Sequence, residues 1–314
     1  MRELEASDGN HRLPRFSILV GRVSTEDSDR VLELLDALRQ QDGSPDYEVI
    51  VADRRLDQIT ELIRDNYPEA RLLLCAAETP LPELRTRALE CARSEYVVVT
   101  EDHCVPPKYW LASMLEAFEA SPRETVAVGG PVENGVTDSA LDWATFLCEY
   151  SAFVGPIPNG PAPSLPGMNI AYRRSALIEL GREVLTCGFW ETTVHSLFKR
   201  KDLLLYQSNS IQIFHKKKFS LRLFIHQRFL YSRYYAGLRM SRSTPAARLL
   251  MSVLTLGLPA LLLLRICRNL TAKKRLTGQF ARALPYLTVF VVIWAFGELV
   301  GYLTGPGEAL SRIE

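Results

Sequence analysis

The sequence has no cysteine pattern that would indicate a zinc site or a disulfide framework. Its six cysteines include no CxxC pair and lie at irregular spacings: Cys75, Cys91, Cys104, Cys148, Cys187 and Cys267. Zinc sites need clustered cysteines, and disulfide-rich domains need many cysteines in a short chain. The cysteines are therefore expected to be reduced and mostly buried thiols in a cytosolic compartment.

The sequence also lacks a charge excess and a signal peptide. Lysine and arginine number 37, aspartate and glutamate 36, and the formal net charge is +1. A nucleic-acid partner would favour a basic excess, so none is expected. The polar N-terminus, MRELEASDGNHRLPRF, has no apolar core of the kind that directs export. Residues 1–14 are expected to form a flexible tail.

Short apolar runs alternate with amphipathic stretches in the first part of the chain. The runs predict buried strands at residues 16–21, 47–52, 70–75, 96–100 and 125–128. The stretches between them predict helices at residues 28–38, 56–67, 84–93 and 110–118, the first capped by Ser28 or Asp29. This alternation predicts an α/β fold with a mostly parallel sheet and helices on both faces.

Charged residues follow three of the predicted strands. Arg22 follows the first strand, Asp53 the second, and Glu101-Asp102-His103 the fourth. Ligands of such sheets bind beyond the carboxyl ends of the strands, where these carboxylates can hold Mg²⁺ or Mn²⁺ against a diphosphate. The imidazole of His103 favours Mn²⁺, because it is a softer ligand than oxygen. The alternative is a solvated turn whose acids face water.

The segment 84–103, LRTRALECARSEYVVVTEDH, resembles a hallmark of family 2 glycosyltransferases. In that family a helix containing Ala-Arg-Asn leads through a turn into a strand that closes on Asp-x-Asp. Arg85 falls on the arginine of this motif, and Glu101 and His103 fall on the two aspartate positions. Both replacements still ligate divalent metals, which leaves open whether Glu101, Asp102 or His103 contacts the ion.

Four later segments are similar to that family in the family's order. They are residues 167–174 (GMNIAYRR), 188–191 (GFWE), 214–215 (FH) and 227–236 (QRFLYSRYYA). In the family the first lines the donor and acceptor region, and the second carries a catalytic base. The third places a histidine near the metal or diphosphate, and the fourth is an Arg/Tyr-rich helix. The resemblance covers about residues 15–240 and implies a GT-A glycosyltransferase domain.

The resemblance implies an inverting transfer from a nucleotide sugar, with UDP as the expected nucleotide. Glu191 is expected to be the general base, and its neighbours Phe189 and Trp190 are expected to raise its pKa. Nucleotide and donor contacts are expected from Arg22, Asp53, Arg85, Glu101, Asp102 and Asn169. The expected metal ligands are Glu101, Asp102, His103 and His215. The acceptor region is expected to include Trp190 and Tyr172.

Each of these assignments has a structural alternative. The alternatives are a helix-capping role for Asp53, an exposed position for Glu191 on the helix that it begins, and core packing for Trp190 and Tyr172. The basic run at residues 215–218 is interpreted as a grip on a diphosphate or a lipid phosphate, with a solvated turn as the alternative.

Residues 241–314 change in character and are expected to form a membrane-associated helical hairpin. Two apolar segments, residues 249–264 and 284–303, have lengths of about 24 Å and roughly 30 Å as helices. Basic residues lie in the linker between them and also before the first, so the positive-inside preference does not fix the orientation. An interfacial hairpin would remove this conflict; two core helices of a soluble protein are the alternative.

Together these features predict a glycosyltransferase on the cytoplasmic face of a membrane. The expected acceptor is a hydroxyl of a lipid, of a lipid-linked intermediate or of a cell-surface polysaccharide precursor. Two rival functions remain open from sequence. One is an inactive relative that binds a nucleotide sugar or scaffolds a membrane assembly. The other is a nucleotidyl or phosphoglycosyl transferase, which would release pyrophosphate or a nucleoside monophosphate. Donor sugar, acceptor and oligomeric state cannot be read from residue types.

Overall fold

The computed structural model describes residues 13–241 and 243–314, so the expected tail lies almost entirely outside the described residues. The strands are β1 Phe16–Arg22, β2 Tyr47–Asp53, β3 Ala70–Leu74, β4 Tyr96–Glu101, β5 Cys104–Val105, β6 Thr125–Gly129, β7 Val132–Asn134, β8 Gly160–Pro161, β9 Ile170–Arg173, β10 Leu204–Gln207 and β11 Ile213–His215.

The α-helices alternate with these strands and then form the last part of the chain. They are α1 Arg30–Arg39, α2 Gln58–Asn66, α3 Leu81–Cys91, α4 Trp110–Ala120, α5 Ala140–Tyr150, α6 Arg174–Ile178, α7 Arg182–Gly188, α8 Glu191–Lys199, α9 Leu221–Arg239, α10 Pro245–Leu254, α11 Leu258–Lys273, α12 Thr277–Thr304 and α13 Ala309–Arg312. A 3₁₀ turn, Thr255–Gly257, joins α10 to α11.

The main sheet has the strand order β3-β2-β1-β4-β9-β6-β10-β8. Strand β1 pairs in parallel with β2 and β4, so Phe16 lies beside both Tyr47 and Tyr96. Strand β9 is antiparallel between β4 and β6. The α/β class and the mostly parallel sheet are confirmed, while the antiparallel insertion was not predicted.

Apolar side chains on both faces explain why the central strands form. Every residue of β1 is buried, and its successive residues Ile18 and Leu19 belong to two different apolar cores. A strand covered on both faces has no polar alternation, because neither face meets water. The carboxyl ends of β1, β2 and β4 therefore meet at one well-supported edge.

A second, smaller sheet lies beside this edge. Its order is β5-β11-β7, with β11 antiparallel to β5 and parallel to β7. In this sheet His215 lies opposite Cys104 and Asn134. The small sheet thereby brings a histidine from late in the chain next to the residues that follow β4.

Local signals set some of the helix starts, with differences from expectation. At α2 the Asp57 side chain accepts from the backbone of Thr60 while the Thr60 hydroxyl accepts from Asp57 N–H, forming a capping box. Asp29 is the N-cap residue of α1, as expected, but its side chain makes no capping hydrogen bond. Helix α3 begins at Leu81, earlier than expected, with Pro82 in its first turn.

The two long C-terminal helical segments extend beyond the apolar segments that were predicted at residues 249–264 and 284–303. Pro245–Lys273 and Thr277–Thr304 are long and apolar enough to cross a membrane, and only 17% and 33% of their most apolar windows are buried. The basic linker is shorter than expected, because α11 continues to Lys273: Arg265 and Arg268 lie on α11 and Arg282 lies on α12, while Lys274 and Arg275 remain between the helices.

Helix α12 packs closely along α9 and joins the core of the domain. A Cβ on Gly297 would lie 2.0 Å from Ser232 Oγ, and one on Gly301 would lie 2.4 Å from the carbonyl oxygen of Arg233. Leu287 and Phe290 of α12 are fully buried in the same apolar core as β1. The boundary expected at residue 240 therefore separates elements that share one core, and it stays a prediction.

Candidate active site

Three potential metal ligands lie together beyond the end of β4. One ligand atom each from Glu101, His103 and His215 lies within 4.8 Å of the others. His103 Nε2 is 3.0 Å from His215 Nε2 and 3.2 Å from Glu101 Oε2. These three residues are called the metal group below.

Asp102 supports this group from behind. Its Oδ2 accepts from the backbone amides of Val23 (3.0 Å) and Ser24 (3.1 Å), and its Oδ1 accepts from the Ser24 hydroxyl (2.7 Å). His103 Nδ1 lies 2.8 Å from the same Oδ1. An ionised carboxylate only accepts, so Nδ1 carries a proton there, and Nε2 would present a lone pair to a metal ion by giving up its own proton.

Asp102 therefore positions His103, whereas the metal group holds Glu101 and two histidines. The expectation that Asp102 itself ligates the ion has no support in this geometry, because both of its oxygens face internal donors. The carboxylate–histidine arrangement is the usual outer support of a metal-bound imidazole.

The charges of the site are strongly coupled. Burial opposes ionisation of Glu101, but the hydrogen bond from His103 and the positive charges of His103 and Arg85 outweigh it and lower its pKa to about 2. Burial and the nearby His103 hold the pKa of His215 well below its ordinary value. His215 is thus neutral at physiological pH, the form in which imidazole ligates metals.

The donor set fits a divalent transition-metal ion. Neighbouring ligands that are each about 2.1 Å from an ion lie about 3 Å apart, which matches the 3.0 Å between the two Nε2 atoms. Two imidazoles and one carboxylate favour Mn²⁺ over Mg²⁺, which prefers oxygen ligands.

Arg85 and Glu191 lie next to the metal group. Arg85 is buried, donates from NH1 to the Phe189 carbonyl oxygen (3.1 Å) and places NH2 3.6 Å from Glu101 Oε1. Its Nε is buried without a hydrogen-bond partner among the described residues. Arg85 therefore has one buried donor that none of the described residues satisfies.

Glu191 begins α8 and is half-buried. Its carboxylate lies against Gly167, where a Cβ would come within 2.5 Å of Glu191 Oε2. Burial raises the pKa of Glu191 above its ordinary value, and the charge of Arg85 partly offsets this rise. The rise agrees in direction with the expectation from the flanking aromatic residues.

Arg22 and Asp53 form a fully buried ion pair at the ends of β1 and β2. Arg22 NH1 lies 2.9 Å from Asp53 Oδ2, and neither side chain is exposed. Asp53 also accepts from the Thr60 hydroxyl (2.7 Å) and the Arg55 amide (2.7 Å). The nucleotide contacts expected of Arg22 and Asp53 stay predictions, since all of these partners are internal.

Asn169 and Tyr172 also have internal partners. The Asn169 amide accepts from Trp110 Nε1 (2.7 Å) and donates to the carbonyl oxygens of Pro131 (3.0 Å) and Ile211 (2.7 Å). Tyr172 is 2% exposed in the core. The donor and acceptor roles expected of these two residues stay predictions, and the structure gives both a packing role.

Trp190 lies nearer the site, yet it is also buried. Its ring packs against Tyr231 and Tyr235 of α9, and the Arg85 guanidinium lies 5.5 Å from the ring centre. An acceptor role for Trp190 stays a prediction, because the side chain already supports Arg85.

A second ion pair near the site was missed from sequence. Arg228 of α9 lies 3.2 Å from Glu149 at the end of α5, and both are mostly shielded from water. Burial raises the pKa of Glu149, against the charge of Arg228, and Glu101 adds to the rise. Arg228 lies in the Arg/Tyr-rich segment noted above, whereas no sequence signal marked Glu149.

The basic run 215–218 does not act as one cluster. Lys216 pairs with Glu33 (2.9 Å) and Lys218 with Asp138 (2.8 Å). Lys217 alone turns inward, where its Nζ donates to Ser24 Oγ at 3.0 Å. Lys216 and Lys218 thus form ion pairs near the surface, which agrees with the solvated-turn alternative. Lys217 instead lies beside the residues that support the metal group.

Residues 24–181, about half of the chain, match the sequence profile described as glycosyl transferase family 2. The chain belongs to this family. It is therefore a glycosyltransferase, which confirms the predicted enzyme class. No curated protein sequence matches the chain.

Solved structures of two other glycosyltransferases are similar to this chain, and the first of them shows the same fold. The mannosyltransferase PcManGT from Pyrobaculum calidifontis, in complex with GDP-Man and Mn²⁺, is 18% identical, with a TM-score of 0.55 over 92% of this chain and 88% of that one. S. aureus TarS is 16% identical, with a TM-score of 0.46 over 69% of this chain and 39% of TarS. This family 2 chain thus spans about two fifths of TarS and most of PcManGT.

Proposed function

We propose that this family 2 glycosyltransferase moves a sugar from a nucleoside-diphosphate sugar to a hydroxyl of a lipid-linked acceptor, with inversion at the sugar carbon. The observation that carries the proposal is the metal group, which lies at the family's acidic position beyond the end of β4. The resemblance favours UDP as the nucleotide, and GDP is the other nucleotide to test because PcManGT holds GDP-Man.

Glu101, His103 and His215 would hold Mn²⁺ or Mg²⁺. Such an ion, when bound, neutralises charge on the diphosphate leaving group. Arg85 adds a second positive charge, since its guanidinium lies 3.6 Å from Glu101. Asp102 and Ser24 keep His103 in the orientation that this arrangement needs.

Glu191 would act as the general base. The acceptor hydroxyl gives its proton to the Glu191 carboxylate. The oxygen of the acceptor then forms a bond to the anomeric carbon of the donor sugar, and the bond from that carbon to the diphosphate oxygen breaks. A nucleoside diphosphate leaves with the bonding electrons. The raised pKa of Glu191 suits it to take up this proton near neutral pH.

A cavity beside α12 supports a lipid-linked acceptor. It has a volume of about 810 Å³ and lies between α9 and α12, with Phe229, Ile293 and Phe296 among its apolar lining residues. Arg222 lines it as well. This combination matches an amphiphile with an apolar chain and an anionic head.

The exposed surface of the C-terminal helices supports attachment to a membrane. Leu249, Leu256 and Leu261 are each more than 60% exposed on α10, the 3₁₀ turn and α11. A helix in the core of a soluble protein would bury such side chains. We retain the cytoplasmic face for the catalytic domain, since nucleotide sugars are the substrates proposed.

The decisive experiment compares sugar donors with and without Mn²⁺. The purified chain is expected to be stabilised by UDP-sugars or GDP-sugars only when the metal is present. It should release nucleoside diphosphate when membrane lipids are added. Glu191→Gln should lower the turnover about 10²- to 10⁴-fold and leave nucleotide binding intact. Glu183→Gln, on an exposed side chain of α7, is the matched control.

Three outcomes would contradict the proposal. Absence of any metal-dependent stabilisation by nucleotides would reject it outright. Nucleotide binding without turnover of any donor would favour the inactive scaffold. Release of nucleoside monophosphate or pyrophosphate would favour the nucleotidyl or phosphoglycosyl alternative.

A further inference from the structure

The segment 308–314 follows α12, contains α13, and lies across the carboxyl ends of β1 and β2; it is called the docked segment below. The Glu314 carboxylate accepts from the Thr25 amide (3.0 Å) and the Thr25 hydroxyl (2.7 Å), just beyond β1. Arg54, directly after β2, donates from NH2 to the Ile313 carbonyl oxygen at 2.9 Å. Ligands of open α/β sheets bind at this edge.

The docked segment is held by burial as well as by hydrogen bonds. Ile313 and Ala309 are 0% and 2% exposed, and both belong to the apolar core that includes Val23 and Leu81. From the other side, Gln227 of α9 accepts from the Glu314 amide at 3.0 Å and donates to the Arg312 carbonyl oxygen at 3.2 Å. The segment therefore occupies one defined position.

A chain of polar contacts connects Glu314 with Asp102, the residue that supports the metal group. Its Oε2 lies 3.6 Å from Lys217 Nζ, and the Lys217 side chain is only 1% exposed. The same Nζ donates to Ser24 Oγ, which in turn donates to Asp102. A carboxylate thus pairs with a buried ammonium and a backbone amide, which are also the partners that phosphate and ribose oxygens use.

We propose that the docked segment is an autoinhibitory element that occupies the crevice entered by the nucleotide of the donor. The inference rests on the proposed function, because it takes the occupant of the crevice to be a nucleoside diphosphate. The segment and a nucleotide compete for Thr25, Arg54 and Lys217, so the donor binds only after the segment leaves. The apparent affinity for nucleotide is then lowered by the fraction of molecules in the docked state.

Nucleotide affinity in full-length variants tests the proposal. Dissociation constants for UDP and for GDP in the presence of Mn²⁺ are measured by calorimetry for the parent chain, Ile313→Asp and Glu314→Gln. Ile313→Asp places a charge in an apolar core and should release the segment, tightening binding about tenfold or more. Glu314→Gln removes only the charged contacts and should tighten binding less. Glu308→Gln, on an exposed side chain at the start of the same segment, should change nothing.

Hydrogen exchange on the unmodified chain provides a second measurement that does not depend on any variant folding. Addition of UDP or GDP should speed exchange of the amides of residues 308–314, because the bound nucleotide displaces them. Slower or unchanged exchange would overturn the inference.

The outcomes separate this inference from the proposed function. Equal or weaker nucleotide affinity in a folded Ile313→Asp or Glu314→Gln chain, with clear binding by the parent, overturns autoinhibition and leaves the glycosyltransferase proposal intact. Binding of neither nucleotide by any of the chains rejects both.

Discussion

The two halves of the crevice are built in opposite ways. In the metal half, beyond β4, Glu101, His103 and His215 point at one another. In the nucleotide half, beyond β1 and β2, Arg22 and Asp53 are satisfied internally, and the docked segment covers Thr25 and Arg54. One half is arranged for an ion before any ligand arrives, whereas the other is closed by the protein's own groups. Under the proposed function, binding of the donor would require rearrangement mainly in the nucleotide half.

The largest effect is expected from breaking the buried pair in the nucleotide half. Asp53→Asn removes one of the two carboxylates that pair with the buried Arg22 guanidinium and leaves Asp57, 2.7 Å from NH2, as the other. The loss should lower the free energy of unfolding by about 3 kcal/mol. Urea denaturation measures this loss. Asp65→Asn, at an exposed position of the adjacent α2, is the control. Parent-like stability with loss of nucleotide binding would instead favour the direct contact that the family resemblance implies for Asp53.

Removing one ligand breaks the metal half. His215→Ala should weaken Mn²⁺ binding by at least about 100-fold, since loss of an outer partner alone typically costs 10- to 100-fold. Binding is followed by calorimetry or by the paramagnetic resonance of Mn²⁺. His226→Ala, at an exposed position of α9, should bind the ion like the parent. An unchanged Mn²⁺ affinity in His215→Ala would remove His215 from the metal group.

A smaller effect is expected when only the support of the metal half is altered. Asp102→Asn keeps the shape of the side chain and removes the charge that orients His103, so Mn²⁺ affinity should fall about 10- to 100-fold. The same titration measures it, beside a melting curve that checks the fold. A loss as large as that of His215→Ala would mean that Asp102 ligates the ion directly.

The smallest effect concerns the pH dependence of turnover. Glu191 must be ionised to accept a proton, so activity falls as the pH drops through its raised pKa, at a higher pH than for an ordinary glutamate. Arg85→Gln removes the charge that lowers this pKa and should move the acidic limb further upward. An acidic limb at the ordinary glutamate position in both chains would contradict Glu191 as the base.

The sequence predicted the parts of the fold that depend on local pattern. Buried strands such as Phe16–Arg22 consist of continuous apolar runs, and their carboxyl ends placed Glu101 and His103 correctly at the crevice. Strand β9 and the small sheet were not predicted, because they are short and depend on pairing with distant strands. His215 was expected at the metal only through the family resemblance.

The buried partners were beyond sequence reasoning. Asn169 and Tyr172 belong to a motif of the family, yet their hydrogen bonds in the structure are to core groups that no local pattern reveals. The docked segment, EALSRIE, has no periodicity that predicts its position. Tertiary contacts set its place, as they do for Glu149 and Arg228.

The contact between His103 and His215 joins residues 112 apart in the chain. Closing so long a loop is entropically unfavourable until other contacts support it, and such contacts tend to form late in folding. A nascent chain that ends before β11 holds only two of the three ligands. Tight binding of the ion would therefore begin only when the whole domain has folded. It would slow unfolding of the folded protein and would not accelerate the early steps of folding.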